Sequence, residues 1–438
     1  MRIQFGMNHI RTISVLALAL FATSCSRSLP TAPASQGVRD DHADPFLTAG
    51  LENQVVVTLA DGVNAQDVAA QYGAAIVKND DGTTAALRPI AGQTAATLLN
   101  QLTLDGRIVT SEPNGWLAPA EVRQQSFAFD DGFGNHATYA EQPAAEAIHL
   151  PAVPGAAKGW GVKVAIIDTG ADMTHPELKS SIVGGWDFVD NDPDPTDQKN
   201  LITGGTAIAY GHGTHVAGIV HLVAPEAQLL IVRVLNSDGR GDIVNVTAGV
   251  NWAVEHGAKV INLSLGTIRN AEALQHALEA AEAAGVIVVA AIGNSGSMLN
   301  LDFPGYSSHA FGIAAVDANG HPAPFSSFNK SEVLLSAPGV GVRSTYPGGG
   351  YMLWSGTSMS TPFVAGTAAL LAQYHPSWTM DDMKMRLENG TTPVQATSTD
   401  LASQFGAGML DVSRAVAPDF QGGDNSVPDP IILVRGRH

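Results

Sequence analysis

The sequence predicts an α/β protein, a doubly wound and mostly parallel sheet with helices on both faces, preceded by a small α+β unit. Three observations point to it. Downstream of Gly161, apolar runs of strand length alternate with amphipathic or small-residue helical stretches, as a parallel sheet with crossover helices requires. The runs are apolar at almost every position, which suits strands covered on both sides. Upstream, a shorter stretch has its own strand and helix alternation and is bounded by polar, Pro-rich and acidic segments.

The order of elements follows from local pattern. Arg2 and Arg11 precede the apolar run Ile13 to Ala22, which at about ten residues is too short to span a bilayer and reads as an export signal over 1–24. Residues 25–51 are rich in Pro, Ala, Ser and charge and read as a tether. Over 52–115 the pattern is strand (QVVVTLADG), helix (Ala65 to Ala74), strand (TTAALRPI), helix (Thr94 to Leu102) and strand (IVTSEPN). Residues 116–145 read as a linker of low order from 119 onward, containing the acidic DDGFGNHATYAEQP and suited to proteolytic processing.

The main domain spans 146–418. Its strands are VKVAIID, LLIVRVL, VINLSLG and VIVVAAIGN, with helices after GHGTH, through VTAGVNWAVEHG and over AEALQHALEAAEAAG. Gly257 and Gly285 stand where helix carboxyl ends take a left-handed residue. Residues 419–438 form a polar tail with one apolar run.

Composition narrows the function classes. The 438 residues carry 23 Lys and Arg against 41 Asp and Glu, a formal charge of −18. Such an acidic chain is a poor partner for nucleic acid. A single cysteine, Cys25, excludes an internal disulfide and follows Ala22-Thr23-Ser24 at the end of the export signal. ATSC resembles a relaxed bacterial lipobox, with Ala22 where Leu is favoured. Two readings stand: a Cys25-lipidated envelope protein, or an ordinary signal peptide that contains a cysteine.

Four segments carry chemistry. Asp168 ends VKVAIID and is followed by Thr169-Gly170, so it sits beyond the carboxyl end of a parallel strand, where α/β sheets gather reactive groups. GHGTHVAG puts His212 at the start of a helix of small residues. His212, His215 and His221 could suggest zinc, but no glutamate separates the first two as in HExxH. GTSMSTP places Ser358 beside the helix FVAGTAALLAQY, with Pro362 expected in its first turn. AIGNSG offers Asn294 as a donor toward an oxyanion, with Gly293 and Gly296 keeping the approach open.

In this order and spacing, DTG, HGTHVAG, the GN turn and GTSMSTP resemble the subtilisin-like serine proteases, whose chain order is Asp, His, Ser. The resemblance runs through HPEL, VINLSLG, PFSSFN and SAPG, over roughly residues 140 to 417. It implies a serine endopeptidase in which Asp168 orients His212, His212 takes the proton of Ser358, and the Asn294 amide and Ser358 N–H form the oxyanion hole. It implies protein or peptide substrates, with Ser264, Leu265, Gly266 and Gly293 lining their cleft. Residues 52–115 resemble the family's inhibitory propeptide, which implies an intramolecular inhibitor removed by self-cleavage.

Other expectations follow. The glycines at 266 and 293 with Ala290-Ala291 imply a fairly open apolar pocket for the residue before the cut. Ile292, where the family has a smaller residue, is expected to narrow the groove floor. The chemistry requires no cofactor. Between GHGTHVAG and VAPEA the loop is too short for the family's usual tight calcium site, and Glu177 replaces the usual Asp after HP. DFVDNDPDPTD (187–197) reads as a solvated acidic loop, with structural calcium as its alternative.

A serine esterase of the α/β-hydrolase kind fails here, since Ser360 stands where its nucleophile elbow needs Gly. A catalytically silent binding module on the same fold remains the alternative. The protein is expected outside the cytoplasm, secreted or lipid-anchored, with membrane contact through that anchor alone.

Overall fold

The computed structural model describes residues 50–79, 82–123, 126, 128–199 and 207–417. The expected signal segment, Cys25, the tether before residue 50 and the tail 419–438 lie outside the described residues.

The first unit is a four-stranded antiparallel sheet with two helices on one face. Its elements are β1 (Val55–Leu59), α1 (Ala65–Gln71), β2 (Ala74–Lys78), β3 (Thr84–Pro89), α2 (Ala95–Leu102) and β4 (Ile108–Pro113), and the strand order is β2-β3-β1-β4. Asn64 caps α1 by accepting from Gln66 N at 2.7 Å, and Thr94 caps α2 by accepting from Thr97 N at 3.2 Å. The sequence pattern extends the first helix to Ala74, but the chain turns left-handed at Gly73 (φ 61°) and Ala74–Lys78 becomes an edge strand. Five residues of alternating burial are too short a run to stand out beside a helix rich in alanine.

Every residue of β1 is buried because both faces are covered. Val55 and Val57 pack into the unit's own core with Val68, Leu98 and Leu102, while Val56, pointing the other way, joins Val244, Ala248 and Leu274 in the core of the larger domain.

After β5 (Trp116–Leu117) come three short helices, α3 (Ala120–Arg123), α4 (His136–Ala140) and α5 (Pro143–Ala147). The expectation of low order over 119–145 is therefore corrected. Asn135 and Thr138 form a reciprocal cap on α4. Tyr139 is buried and donates to Gly218 O at 2.7 Å, and Gln142 bonds both Arg343 N and Arg343 O. Single anchoring side chains hold this stretch, and they leave no periodic signal.

The large sheet has nine strands in the order β16-β17-β13-β12-β11-β10-β6-β8-β7. These are β6 (Lys163–Asp168), β7 (Ile182–Asp187), β8 (Gln228–Arg233), β10 (Val260–Leu263), β11 (Ile287–Ala291), β12 (Phe311–Val316), β13 (Val333–Pro338), β16 (Thr391–Thr392) and β17 (Met409–Leu410). All neighbours are parallel except the β16–β17 pair at one edge. Helices α6 (His212–Val223) and α9 (Thr357–Tyr374) pack on one face, and α7 (Ile243–Glu255) and α8 (Glu272–Ala283) on the other. β6 shows the alternation, with Val164 and Ile166 facing the first pair and Ala165 and Ile167 the second. Gly257 and Gly285 take φ 76° after α7 and α8, as the sequence pattern requires. The pair β9 (Gly241–Asp242) with β5, the hairpin β14 (Val342–Tyr346) with β15 (Gly350–Trp354), α10 (Met380–Asn389), α11 (Thr399–Ala402), α12 (Val412–Val416) and two 3-10 turns, Leu150–Ala152 and Ser403–Phe405, complete the described elements.

The small unit docks on α7 and α8. Glu112 accepts from Ala273 N at 2.8 Å, so its carboxylate caps the first turn of α8. Burial nevertheless raises its pKa to about 7, the two backbone bonds at Glu272 and Ala273 opposing the rise in part. A carboxyl whose folded pKa is raised binds more protons folded than unfolded, so this group lowers stability as pH rises from about 4.5 to 7. Glu112→Gln, in a full-length Ser358→Ala background, is expected to flatten the pH dependence of unfolding by on the order of 2 kcal/mol across that window. Denaturant titrations at pH 4.5, 6 and 8 measure it. Parallel curves for the two chains would reject the assignment.

Candidate active site

The site forms where β6 ends against the start of α6. Gly170 has φ 97°, and a Cβ there would lie 2.4 Å from Pro195 O, so the chain turns sharply after Asp168. A Cβ on Gly213 would lie 2.1 Å from Gly170 O, so the first turn of α6 rests directly on that turn. This contact brings His212 Nδ1 to 2.8 Å from Asp168 Oδ1, with both side chains fully buried. Thr169 and Thr214 donate to Asp197 Oδ2 at 3.2 and 3.0 Å, fixing the two segments from behind. Burial raises the Asp197 pKa to about 7. Trp354 meets the His212 ring edge-on at 5.2 Å.

Ser358 is the second residue of α9, and Asn294 lies beyond the end of β11. Asn294 Oδ1 accepts from Thr357 N and Thr357 Oγ1, each at 2.9 Å, which turns its amide NH2 toward Ser358. Between these groups sits a side chain that sequence patterns did not single out, Glu121 of α3. Its Oε1 accepts from Asn294 Nδ2 at 2.9 Å and from Ser358 N at 3.2 Å. Its Oε2 accepts from Ser358 Oγ at 2.5 Å and lies 3.7 Å from His212 Nε2, which makes no hydrogen bond.

The electrostatics follow from burial. Burial opposes charge on His212, but Asp168 first and Glu121 second outweigh it and hold the imidazole protonated well above its usual range. Burial likewise opposes charge on Glu121, and His212, Ser358 and Asn294 overcome that and keep it ionised.

The chain leading to Glu121 lies in a groove. Trp116 and Leu117 pair antiparallel with Asp242 and Gly241, and Ala118 exchanges two 2.9 Å backbone hydrogen bonds with Gly266. Residues 116–118 thus form a middle strand between two rails, the mode by which extended peptides add to a sheet edge. Beyond it, Arg123 reaches into a recess and pairs with Asp302, which is 4% exposed.

The sequence model described as the subtilase family, peptidase S8, matches residues 159–408. The chain belongs to the subtilase family. It is 40% identical over 266 residues to subtilisin BL of Lederbergia lenta, covering 59% of this chain and 91% of that protein. It is 40% identical over 262 residues to thermitase of Thermoactinomyces vulgaris, covering 58% and 88%. The crystal structure of fervidolysin from Fervidobacterium pennivorans, a keratinolytic enzyme related to subtilisin, superposes with a TM-score of 0.67 at 22% identity, over 83% of this chain and 60% of that one. The protein is accordingly a serine-type endopeptidase with a subtilisin-like fold that acts on proteins or peptides.

In this subtilase Asp168, His212, Ser358 and Asn294 converge around Glu121. Of the residues expected in the cleft, Gly266 supplies a rail through its backbone and Gly293 (φ 105°) packs against the Asp302 carboxylate. Ser264 faces α9, its carbonyl 3.0 Å from Ser358 Oγ, and the Leu265 side chain is buried in the core below. Ile292 also packs inward, with Val316 and Phe405, so it does not narrow the groove floor. His215 bonds Met352 O at 3.1 Å, and burial lowers its pKa to about 3. The acidic stretch is only partly solvated: Asp187 and Asp197 are buried, and Asp187 pairs with Arg233. The expected open apolar pocket is also corrected, because the Asp302 side chain lies against both glycines, with its Cβ at Gly266 and its carboxylate at Gly293.

Pro362 lies beyond the first turn of α9, inside the helix. Having no N–H, it cannot bond the carbonyl of Ser358, which instead accepts from Ser264 Oγ at 2.9 Å. Ser264→Ala is therefore expected to cost about 1–3 kcal/mol by leaving that buried carbonyl unpaired. Adding Pro362→Ala, which restores an N–H one helical turn on, is expected to recover part of the loss. Equal losses from Ser264→Ala with and without Pro362→Ala, measured by urea unfolding of Ser358→Ala chains, would refute the coupling.

Proposed function

We propose that this subtilase cuts peptide bonds through a Ser358 acyl-enzyme and that residues 52–123 belong to a precursor segment that blocks the cleft until it is removed. One observation carries the reading: a carboxylate oxygen of Glu121 accepts from both Asn294 Nδ2 and Ser358 N, the two donors a tetrahedral oxyanion would need.

With Glu121 withdrawn, His212 loses one of the two carboxylates that keep it charged and can become a neutral base. Ser358 Oγ then attacks the carbonyl carbon while its proton passes to His212 Nε2. Asp168, bonded to Nδ1, holds the ring in place and balances the imidazolium. The carbonyl oxygen becomes an oxyanion held by Asn294 Nδ2 and Ser358 N. When the carbon–nitrogen bond breaks, His212 returns the proton to the departing amine. A water molecule, deprotonated by His212, releases the acyl group and restores the Ser358 hydroxyl. Each proton and each oxyanion donor comes from these groups, so the cycle needs no cofactor. A structural calcium at 187–197 stays a separate proposal.

Self-removal of the precursor segment is supported by its placement in the cleft, and export by Arg2, Arg11 and the apolar run that follows. Among the described residues no helix is long and apolar enough to cross a membrane. Attachment of a lipid at Cys25 would provide an anchor. A mass comparison of purified wild type and Ser358→Ala tests self-processing, and equal unprocessed masses would end it. Peptide mapping after a serine-directed phosphonate tests the nucleophile, with modification expected at Ser358 alone.

Asn294→Ala is expected to lower kcat by about 10²–10³ with little change in KM, the range that loss of the equivalent donor gives in subtilisin itself. Glu121→Ala in the intact chain is expected to speed phosphonate labelling of Ser358 by at least about tenfold. An unchanged labelling rate would mean that the carboxylate does not hold the nucleophile idle.

A further inference from the structure

The recess beside Gly266 and Gly293 receives a side chain of the protein itself. A Cβ on Gly266 would lie 2.8 Å from Asp302 Cβ, and one on Gly293 would lie 2.7 Å from Asp302 Oδ2. The recess is thus bounded by two glycine segments and closed by a carboxylate. One of these segments continues into the oxyanion donor Asn294, and the other follows Ser264, whose carbonyl touches Ser358 Oγ. A side chain next to the reacting carbonyl would enter it. Its occupant is Arg123, two residues after Glu121, whose Nη2 donates to Asp302 Oδ2 with both side chains largely buried.

We propose that Asp302 makes this subtilase selective for arginine or lysine at the residue before the cut. The inference deepens the proposed protease reading and rests on it. Removing a carboxylate from water is costly unless a cation meets it, so a pocket ending in Asp302 rejects apolar and acidic side chains and accepts a guanidinium or ammonium. Arginine can present two parallel N–H donors there, and lysine one charge on a slimmer stem. The remaining walls suit either stem, since Gly266 and Gly293 contribute no side chains. The chain's formal charge of −18 also favours encounter with cationic peptides.

The test uses the processed enzyme and internally quenched peptides identical except for Arg, Lys, Leu or Glu before the cut. Wild type is expected to cleave the Arg and Lys peptides with kcat/KM at least about tenfold above Leu. Asp302→Asn is expected to lower the Arg to Leu ratio by at least about tenfold while hydrolysis of the Leu peptide persists. Benzamidine, a small aryl amidinium, is expected to compete with peptide in wild type, a readout that does not depend on the variant folding. Preference for Leu in wild type, no competition by benzamidine, or an unchanged ratio in a folded Asp302→Asn enzyme would each overturn the selectivity. The phosphonate separates the two levels: an enzyme labelled at Ser358 that prefers Leu loses only the selectivity, whereas one neither labelled nor active loses the protease reading with it.

Discussion

An imidazole clamped between two buried carboxylates is the interaction on which the described state depends. Asp168 and Glu121 flank His212, and all three side chains are shut off from water. Buried charges persist only where partners compensate their lost hydration. Here the compensation is dense: His212 lies between the acids, Thr169 N donates to Asp168, and Ser358 and Asn294 donate to Glu121. The same donors that would stabilise a reaction intermediate are thereby satisfied by a side chain of the intact chain. On the proposed reading the catalytic groups are assembled and held idle by that one carboxylate.

That arrangement needs the small unit to be held firmly, because the helical turn bearing Glu121 is only four residues long. The unit has two separate holds. Val56 and Ala86 continue the large domain's own apolar core, so the centre of its outer sheet face is dry. Glu112 meets the first turn of α8, and Lys78 donates to Phe188 O at 3.1 Å. A two-faced sheet explains why strand β1 lacks the polar alternation expected of an antiparallel strand with one wet side.

Much of this was legible in the sequence, for a physical reason. Parallel strands buried on both faces read as apolar runs, and reactive residues at their ends sit beside glycines that permit close packing, as at Gly170 and Gly213. Asp168, His212, Ser358 and Asn294 are marked in this way. Glu121, Arg123 and Asp302 are not. Asp302 meets Arg123 across 179 residues and Ser358 meets Glu121 across 237, and such contacts leave no local period or motif. A charged residue in LNLDFPG reads as a loop acid until the fold brings two glycine segments against it. The short helices over 120–147 escaped notice because one tyrosine, one glutamine and a reciprocal cap fasten them instead of an apolar stripe.

The threaded segment also indicates why an intact chain can lie across the nucleophile. Peptide hydrolysis requires an extended backbone whose carbonyl carbon faces Ser358 Oγ. Residues 116–118 are extended on their two rails, but the chain then coils into α3 before Glu121 reaches Ser358. Coiling turns a side-chain carboxylate, which cannot be cut, toward donors meant for a backbone oxygen, and it sends Arg123 into the adjoining recess. The ion pair with Asp302 and the hydrogen bonds of Glu121 hold the two ends of one short turn. Unwinding that turn would release both at once, so on the proposed precursor reading the step from block to substrate would be a local coil-to-extended change that leaves the small unit docked.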